Sequence, residues 1–117
     1  MANSVTIYLQ SIVCENTSEM GHDEVYVKYS VDGGRNKRFP SSGYESMSPN
    51  DNNPWVINLP IEYKNTLVIG LYDSDTGKDD SLGTHSYTAA DASKEQSNTI
   101  SNSNGAKYVL NTGPNKQ

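Results

Sequence analysis

Four segments of this sequence alternate apolar and polar residues with a period of two, the pattern of a strand that buries one face. They are residues 5–10, 25–31, 55–61 and 66–72. Shorter segments of the same kind stand at 44–47, 82–87 and 106–111. Turn-forming residues separate them, among them Asp32-Gly33-Gly34 and Asn104-Gly105. Short strands at regular spacing predict an all-β fold, a single antiparallel β-sandwich of about seven to eight strands.

The length and composition indicate one domain with a thin core. A chain of 117 residues falls in the usual size range of one domain, and we expect it to span residues 1–113, followed by a disordered tail at 114–117. Only 33% of the residues are apolar, so the eight tyrosines should form much of the margin of the core. Residues 89–95 have helix-forming composition, with Asp91 able to cap one or two turns. The Ser- and Asn-rich stretch 96–105 should be a connecting loop.

The charge and the single cysteine narrow the function classes. A net charge of −5 argues against nucleic acid as a partner, because phosphate binding depends on clustered Lys and Arg. It also argues against unaided attraction to anionic lipid. Cys14 is flanked by apolar residues and should be a buried, inert thiol. No apolar run is long enough to span a membrane, and the N-terminal residues do not resemble a secretion signal. The expected location is cytoplasmic, or peripheral to a membrane.

The most unusual stretch is an acidic loop that follows the segment 66–72. Four carboxylates fall within eight positions: Asp73, Asp75, Asp79 and Asp80. Such a cluster suits calcium, which takes about six to eight oxygen ligands in a flexible shell. Alternatively, the stretch is a solvated turn whose Asp and Gly residues hydrogen-bond to the local backbone.

A second acidic loop lies between residues 15 and 24 and holds Glu15, Glu19, Asp23 and Glu24. In a sandwich, alternate connections emerge at the same end. The two loops are therefore expected to converge there and to pool their carboxylates in one ion site. Apo loops of this kind should be mobile, and their carboxyl pKa values should be raised by mutual repulsion.

Both loops resemble those of a known family. Asp73-Ser74-Asp75 followed by Asp80-Ser81-Leu82-Gly83 is similar to the third calcium loop of C2 domains, the calcium- and phospholipid-binding β-sandwiches. Gly21-His22-Asp23-Glu24-Val25-Tyr26-Val27-Lys28 is similar to their first loop, with Val25 where that pattern has proline. The two matches occur in the family's order along the chain.

The resemblance implies a set of calcium ligands. Asp73 and Asp75 would clamp an ion, Asp79 or Asp80 would close the loop around it, and Asp23 or Glu24 would reach it from the first loop. Glu15, Asn16 and Glu19 are the candidates for the remaining first-loop ligand, and Asp51 is the candidate for the second loop. Met20 is the apolar residue near a loop tip that could enter a bilayer.

The expected function is that of a calcium-binding, non-catalytic module that engages a lipid head group, a glycan or a protein through its acidic loops. Two alternatives are a lectin-like protein and a structural domain stabilised by calcium. The lectin interpretation uses exposed tyrosines, with Tyr26 and Tyr72 as candidates and Trp55 as a stacking platform, although Trp55 can instead anchor the core. Arg35 belongs to a short basic patch that could meet a phosphate, or that blunts an exposed strand edge.

An enzyme is not expected. His22 and His85 are the two histidines, and neither stands in a recognisable metal or nucleophile spacing. Cys14 lies in an apolar run, where thiolate formation is unfavourable.

Overall fold

The computed structural model describes residues 3–75 and 77–115. Within them the chain forms nine β-strands and one short 3₁₀ helix. The strands are β1 (Val5–Asn16), β2 (Asp23–Val31), β3 (Lys37–Phe39), β4 (Glu45–Met47), β5 (Trp55–Tyr63), β6 (Thr66–Asp73), β7 (Asp80–Thr88), β8 (Gln96–Ser101) and β9 (Lys107–Gly113), and the 3₁₀ helix is Ala89–Ser93. No helix in the described part of the chain is long and apolar enough to span a membrane.

The strands form two antiparallel sheets. One sheet has the order β5-β1-β9-β8, and the other has the order β3-β2-β6-β7, with β4 pairing beside β3 on the same edge of β2. The sheets face each other across a core contributed by alternate residues of each long strand. The predicted all-β antiparallel sandwich is therefore confirmed.

The period-two pattern explains which residues fill the core. Along β6 the inward residues Leu67, Ile69 and Leu71 are wholly buried, and β1 and β2 supply partners of the same kind. The tyrosines contribute more than the predicted margin, because three of them, Tyr63, Tyr87 and Tyr108, are buried within the core. Tyr26 is buried too, but outside that core. Each of these tyrosines fills a large volume while keeping a hydroxyl that needs a hydrogen-bond partner.

The two long sides of the sandwich are closed differently. On one side β7 approaches β8 so closely that a Cβ on Gly83 would lie 2.8 Å from the backbone nitrogen of Ser101 and 2.9 Å from the Cβ of Ile100. Gly83 also has a positive φ of 124°, which favours glycine. On the other side the rings of Phe39 and Trp55 stack with their centroids 6.0 Å apart.

Some local predictions were wrong. The strand count is nine in the described residues because Gln96–Ser101, predicted as a loop, pairs along its whole length with β9. Only Ile100 of this strand is buried, so the ladder of backbone hydrogen bonds holds it rather than an apolar face. The predicted helix at 89–95 is a 3₁₀ helix, Ala89–Ser93, where the Asp91 carboxylate accepts a hydrogen bond from the Thr88 backbone nitrogen.

The described residues include only part of the predicted C-terminal tail, 114–117. β9 ends at Gly113, and the Pro114 carbonyl accepts a hydrogen bond from the Gln10 side chain. Residues 116 and 117 of the predicted tail lie outside the described residues, as does Thr76 in the acidic loop.

Strand direction brings several loops to one end of the sandwich. There β1, β6 and β8 end and β2, β7 and β9 begin. The connection 102–106 lies at this end too, since the Asn16 side chain donates to the Gly105 carbonyl. We call this end the acidic pole. The β2–β3 and β5–β6 turns lie at the opposite end, where the Asp32 carboxylate accepts hydrogen bonds from three backbone nitrogens, those of Lys64, Asn65 and Thr66.

Candidate metal centre

The two acidic loops meet at the acidic pole. Asp73 ends β6 and pairs with Val25 of the neighbouring strand β2. The Glu24 backbone nitrogen donates to Asp73 Oδ1 over 2.8 Å, and the Ser74 backbone nitrogen donates to the Glu24 carbonyl over 2.7 Å. The predicted convergence of these two remote segments is therefore confirmed.

Three carboxylates form a cluster there. Glu19, Asp23 and Asp73 each place one oxygen so that all three lie within 4.8 Å of one another. Asp23 is 0% exposed and Asp73 is 2% exposed, whereas Glu19 lies at the surface. The cluster thus runs from the core of the sandwich outward to solvent.

Hydrogen bonds hold the innermost carboxylate in place. Asp23 accepts from the Ser18 backbone nitrogen, from Ser18 Oγ at 2.9 Å and from the Tyr108 hydroxyl at 2.6 Å. Burial is the main reason that the pKa of Tyr108 is raised, and its hydrogen bond to Asp23 adds to the effect. Tyr108 therefore stays protonated and donates to Asp23 throughout the physiological pH range.

The cluster is electrostatically strained. Burial, together with the nearby carboxylates of Asp23, Glu19 and Glu24, raises the pKa of Asp73 to about 6 against the opposing hydrogen bond from the Glu24 backbone nitrogen. The pKa of Glu19 is also raised, first by burial and then by surrounding acids that include Asp75 and Asp80. For these two groups the direction agrees with the prediction, although burial rather than mutual repulsion is the largest cause. For Asp79 the prediction was wrong, because its pKa is lowered.

No salt bridge within residues 3–75 and 77–115 relieves that strain. The close contacts between basic and acidic side chains there are His22 with Asp51 at 3.2 Å and Lys107 with Glu15 at 3.7 Å. Neither includes Asp23 or Asp73. A buried carboxylate normally has a paired cation, a bound metal or a proton.

The donor chemistry fits calcium. All three clustered groups offer carboxylate oxygens, the ligands of hard cations, and a calcium shell of about six to eight oxygens tolerates irregular geometry. The hydroxyl oxygen Ser18 Oγ lies between two of these groups, 2.9 Å from Asp23 Oδ1 and 3.5 Å from Asp73 Oδ2. It is a further oxygen donor at the site. Zinc sites, by contrast, are built mainly on Cys and His.

The other predicted ligands lie around the cluster rather than in it. Asp75 and Asp80 are exposed, and Glu24 is partly buried. Glu24 and Asp75 border a depression of about 370 Å³ together with Tyr44 and Ser74. Asp75 and Asp80 are near enough to raise the pKa of Glu19, so they remain predicted ligands of the outer part of the site.

Asp79 faces a different neighbourhood. Its carboxylate accepts a short hydrogen bond from the Tyr26 hydroxyl and another from the Asp75 backbone nitrogen. These two bonds lower the pKa of Asp79, and the positive charges of Lys28 and Arg38 add to the effect. In this conformation Asp79 is paired on the outer face of the five-stranded sheet.

The predicted ligand-contacting residues are dispersed. Tyr26, predicted to be exposed, is 2% exposed; it lies beneath the Arg38 guanidinium, 4.0 Å from its ring centroid, and beside Tyr72. Tyr72 is half-buried under Lys28. Trp55 is half-buried against the core, which matches its predicted role as an anchor. Arg35 is exposed in the β2–β3 connection, at the end opposite the acidic pole.

Ser18 and Tyr108 are the site residues that sequence reasoning missed. Ser18 lies in the first acidic loop, but no motif or spacing in the sequence distinguished its hydroxyl as a hydrogen-bond partner of Asp23. Tyr108 lies in the predicted strand segment 106–111, and its contact with Asp23 joins positions 85 residues apart.

Comparisons with known proteins identify the fold. No protein-family profile and no curated protein matches the sequence. Among solved structures, one described as the structure of a C2 domain superposes with a TM-score of 0.59 at 13% identity, covering 94% of this chain and 95% of that one. Human GIVD cytosolic phospholipase A2 bound to methyl gamma-linolenyl fluorophosphonate superposes with a TM-score of 0.59 at 15% identity. The same enzyme with an inhibitor and terbium chloride gives 0.58 at 14%.

The sandwich and these superpositions define the class: the chain is a C2-like domain, as the loop resemblance predicted. The match to the phospholipase covers 93% of this chain but only 16% of that enzyme's chain. At these identities the likeness concerns the fold, and it assigns no activity.

Proposed function

We propose that this domain binds Ca²⁺ at the acidic pole and that the bound ion attaches it to phospholipid head groups. The observation that carries the proposal is a pair of wholly buried carboxylates, Asp23 and Asp73, that no basic side chain of the described residues pairs. A divalent cation would offset their mutual repulsion and their loss of hydration.

Glu19, Asp23 and Asp73 would hold the ion, with Asp75, Asp80 and Glu24 as outer candidates. Bound calcium would supply positive charge and a coordination position for an anionic ligand oxygen. Tyr108 and Ser18 fix the orientation of Asp23, because partners that hydrogen-bond to a ligand orient it toward the metal.

The surface around the site favours a membrane as the partner. Met20 is fully exposed and adjoins Glu19 at the tip of the β1–β2 loop. An exposed apolar side chain beside a cation site can enter the bilayer interface while the ion meets the head group. With a net charge of −5, the domain would be repelled by anionic lipid until calcium is bound. Binding would therefore be peripheral and switched by the ion.

We propose a binding role rather than a catalytic one. The acidic pole presents carboxylates, and the side chains of the two histidines contact other residues. His22 contacts Asp51, and the His85 ring packs edge-on against Tyr87.

The proposal is tested in two stages. Calorimetric titration with CaCl₂ should show binding by the wild-type domain and its loss in Asp73→Asn. Sedimentation with phosphatidylcholine and phosphatidylserine vesicles, with calcium or with EGTA, should then show calcium-dependent attachment that weakens in Met20→Ser. No calcium binding at millimolar concentration would refute the proposal. Binding that stabilises the fold without attachment to either vesicle would reduce the ion to a structural role.

A further inference from the structure

A cleft of about 480 Å³ lies on the outer face of the four-stranded sheet, between β5, β1, β9 and β8. Its size falls within the range of small-molecule sites, roughly 300–1,000 Å³. Four residues with amide side chains line it: Gln10, Asn58, Gln96 and Asn111. The Gln96 amide donates to Asp91 and accepts from Asn98, and the Gln10 amide nitrogen donates to Glu95 and Pro114, so Asn58 and Asn111 carry the argument for a ligand. None of the four belongs to the acidic pole, so this cleft is distinct from the candidate metal centre.

Irregularities of the sheet shape the cleft. The ladders of β1 with β5 and with β9 both shift register between Leu9 and Ser11, and Asn58 on β5 has a positive φ of 53°. Bulges re-aim side chains and are frequent beside functional sites. Here they turn Gln10, Ser11 and Asn58 toward the same depression.

A hydrogen-bond network fixes the side chains at one end of the cleft. Gln10 is 8% exposed and donates to Glu95 Oε2 over 2.8 Å and to the Pro114 carbonyl over 2.9 Å. Gly113 makes this contact possible, because a Cβ at that position would collide with the Glu95 carboxylate.

A second set of bonds crosses the middle of the cleft. Ser97 Oγ donates to Asn111 Oδ1 over 2.6 Å, and Asn111 Nδ2 donates to Ser11 Oγ over 3.1 Å. An amide group offers two donors and an acceptor with two lone pairs. Asn111 is thus held in one orientation while it keeps capacity to bond a ligand.

The lining selects the ligand by its chemistry. Among the described residues it contains no Lys or Arg and no aromatic ring, which disfavours phosphates and flat, apolar molecules. Glu95 adds one acid that repels anions, and Val56, which is 65% exposed, offers a small apolar contact. Amides and hydroxyls that donate and accept side by side match ligand hydroxyls, which do the same.

The geometry points to a second binding site in this cleft for a neutral carbohydrate, independent of calcium. Asn58 and Asn111 provide the hydrogen bonds, and Val56 contacts a C–H face of the sugar.

The test uses a printed array of neutral oligosaccharides, followed by titration of ¹⁵N-labelled protein with maltose, cellobiose and lactose. The array detects binding to an attached glycan, and the titration detects binding to a free sugar. Side-chain amide signals of the cleft should shift with the bound sugar, equally in calcium and in EGTA.

Two variants and a matched control make the test specific. Asn58→Gly keeps the backbone conformation and removes one amide, so sugar affinity should fall about 10-fold. Ser97→Leu should block the cleft, while Asn36→Gly, an exposed amide on the β2–β3 connection, should change nothing. The inference is overturned if no sugar binds, if sugar binding ignores both cleft variants, or if a peptide library occupies the cleft and sugars do not.

Discussion

Replacing Asp73 with asparagine should stabilise the domain without calcium and abolish its stabilisation by calcium. Asp73 is 2% exposed, and its pKa is raised from 3.8 to about 6, first by burial. Each pKa unit corresponds to about 1.4 kcal/mol, so the ionised carboxylate costs roughly 3 kcal/mol at pH values well above 6. The neutral amide of the variant would avoid that cost, and its oxygen could still accept the hydrogen bond from the Glu24 backbone nitrogen.

Part of this gain will be lost, because the new amide N–H groups have few acceptors in a buried site. We expect Asp73→Asn to gain about 1–3 kcal/mol at pH 7.5 in EGTA, or roughly 4–10 °C in melting temperature for a chain of this size. A carboxyl group whose pKa is higher in the folded than in the unfolded state stabilises the fold while it is protonated. That stabilisation is complete below the unfolded-state pKa and is lost as the pH rises through the folded-state pKa. The difference between the two proteins should therefore vanish near pH 4 and grow toward pH 7.5.

Calcium should reverse the order. At 1,000 times its dissociation constant, an ion that binds only the folded state adds about 4.1 kcal/mol to the wild type. This exceeds the advantage expected for the variant, which should itself gain little from calcium. Differential scanning fluorimetry and urea titration in EGTA and in CaCl₂ measure both effects. Glu62→Gln, on the exposed face of β5, controls for the charge change alone. A variant that is less stable than wild type in EGTA at pH 7.5, or that keeps the full calcium gain, would refute the reasoning.

Three further predictions concern the support of Asp23, a turn at the opposite end of the sandwich, and the contact between β7 and β8. Tyr108→Phe removes a hydroxyl donor to Asp23 and should weaken calcium binding about 10-fold with the fold intact by circular dichroism; unchanged affinity in calorimetry would contradict this. Asp32→Ala removes the acceptor of three backbone hydrogen bonds, which lower the pKa of Asp32. The variant should therefore melt a few degrees lower than wild type at pH 7, and this difference should shrink as the pH falls through the pKa of Asp32. A difference in melting temperature that does not depend on pH would count against the prediction. Gly83→Ala puts a Cβ 2.8 Å from the Ser101 backbone nitrogen and should cost about 1–3 kcal/mol or more in urea denaturation; wild-type stability would show that β7 and β8 can separate freely.

The sandwich could be predicted because strand burial leaves a direct mark on the sequence. In β6 the inward residues are apolar, and the predicted limits differ from the observed ones only by Asp73. In β8 that mark is missing, since Ile100 is the only buried residue of the strand. Backbone pairing with β9 depends on a partner strand and leaves no side-chain pattern to detect.

The site could be predicted down to its loops but not to its individual groups. Convergence of the two acidic segments followed from sandwich connectivity, and Asp73 and Asp23 were both among the predicted ligands. The environment of Asp79 depended on Tyr26, Lys28 and Arg38 on other strands. Such contacts between distant positions are set by tertiary packing, which the spacing of residues in one loop does not encode.

The central claim is that a cation balances the clustered charge of Glu19 and of the buried Asp23 and Asp73. A crystal grown in calcium, with anomalous diffraction data collected at a wavelength where calcium scatters, tests it most directly. The account predicts an anomalous peak within coordinating distance of a Glu19 oxygen and of an oxygen from Asp23 or Asp73. A peak held only by exposed acids, or calcium-saturated crystals with no peak at the acidic pole, would contradict it.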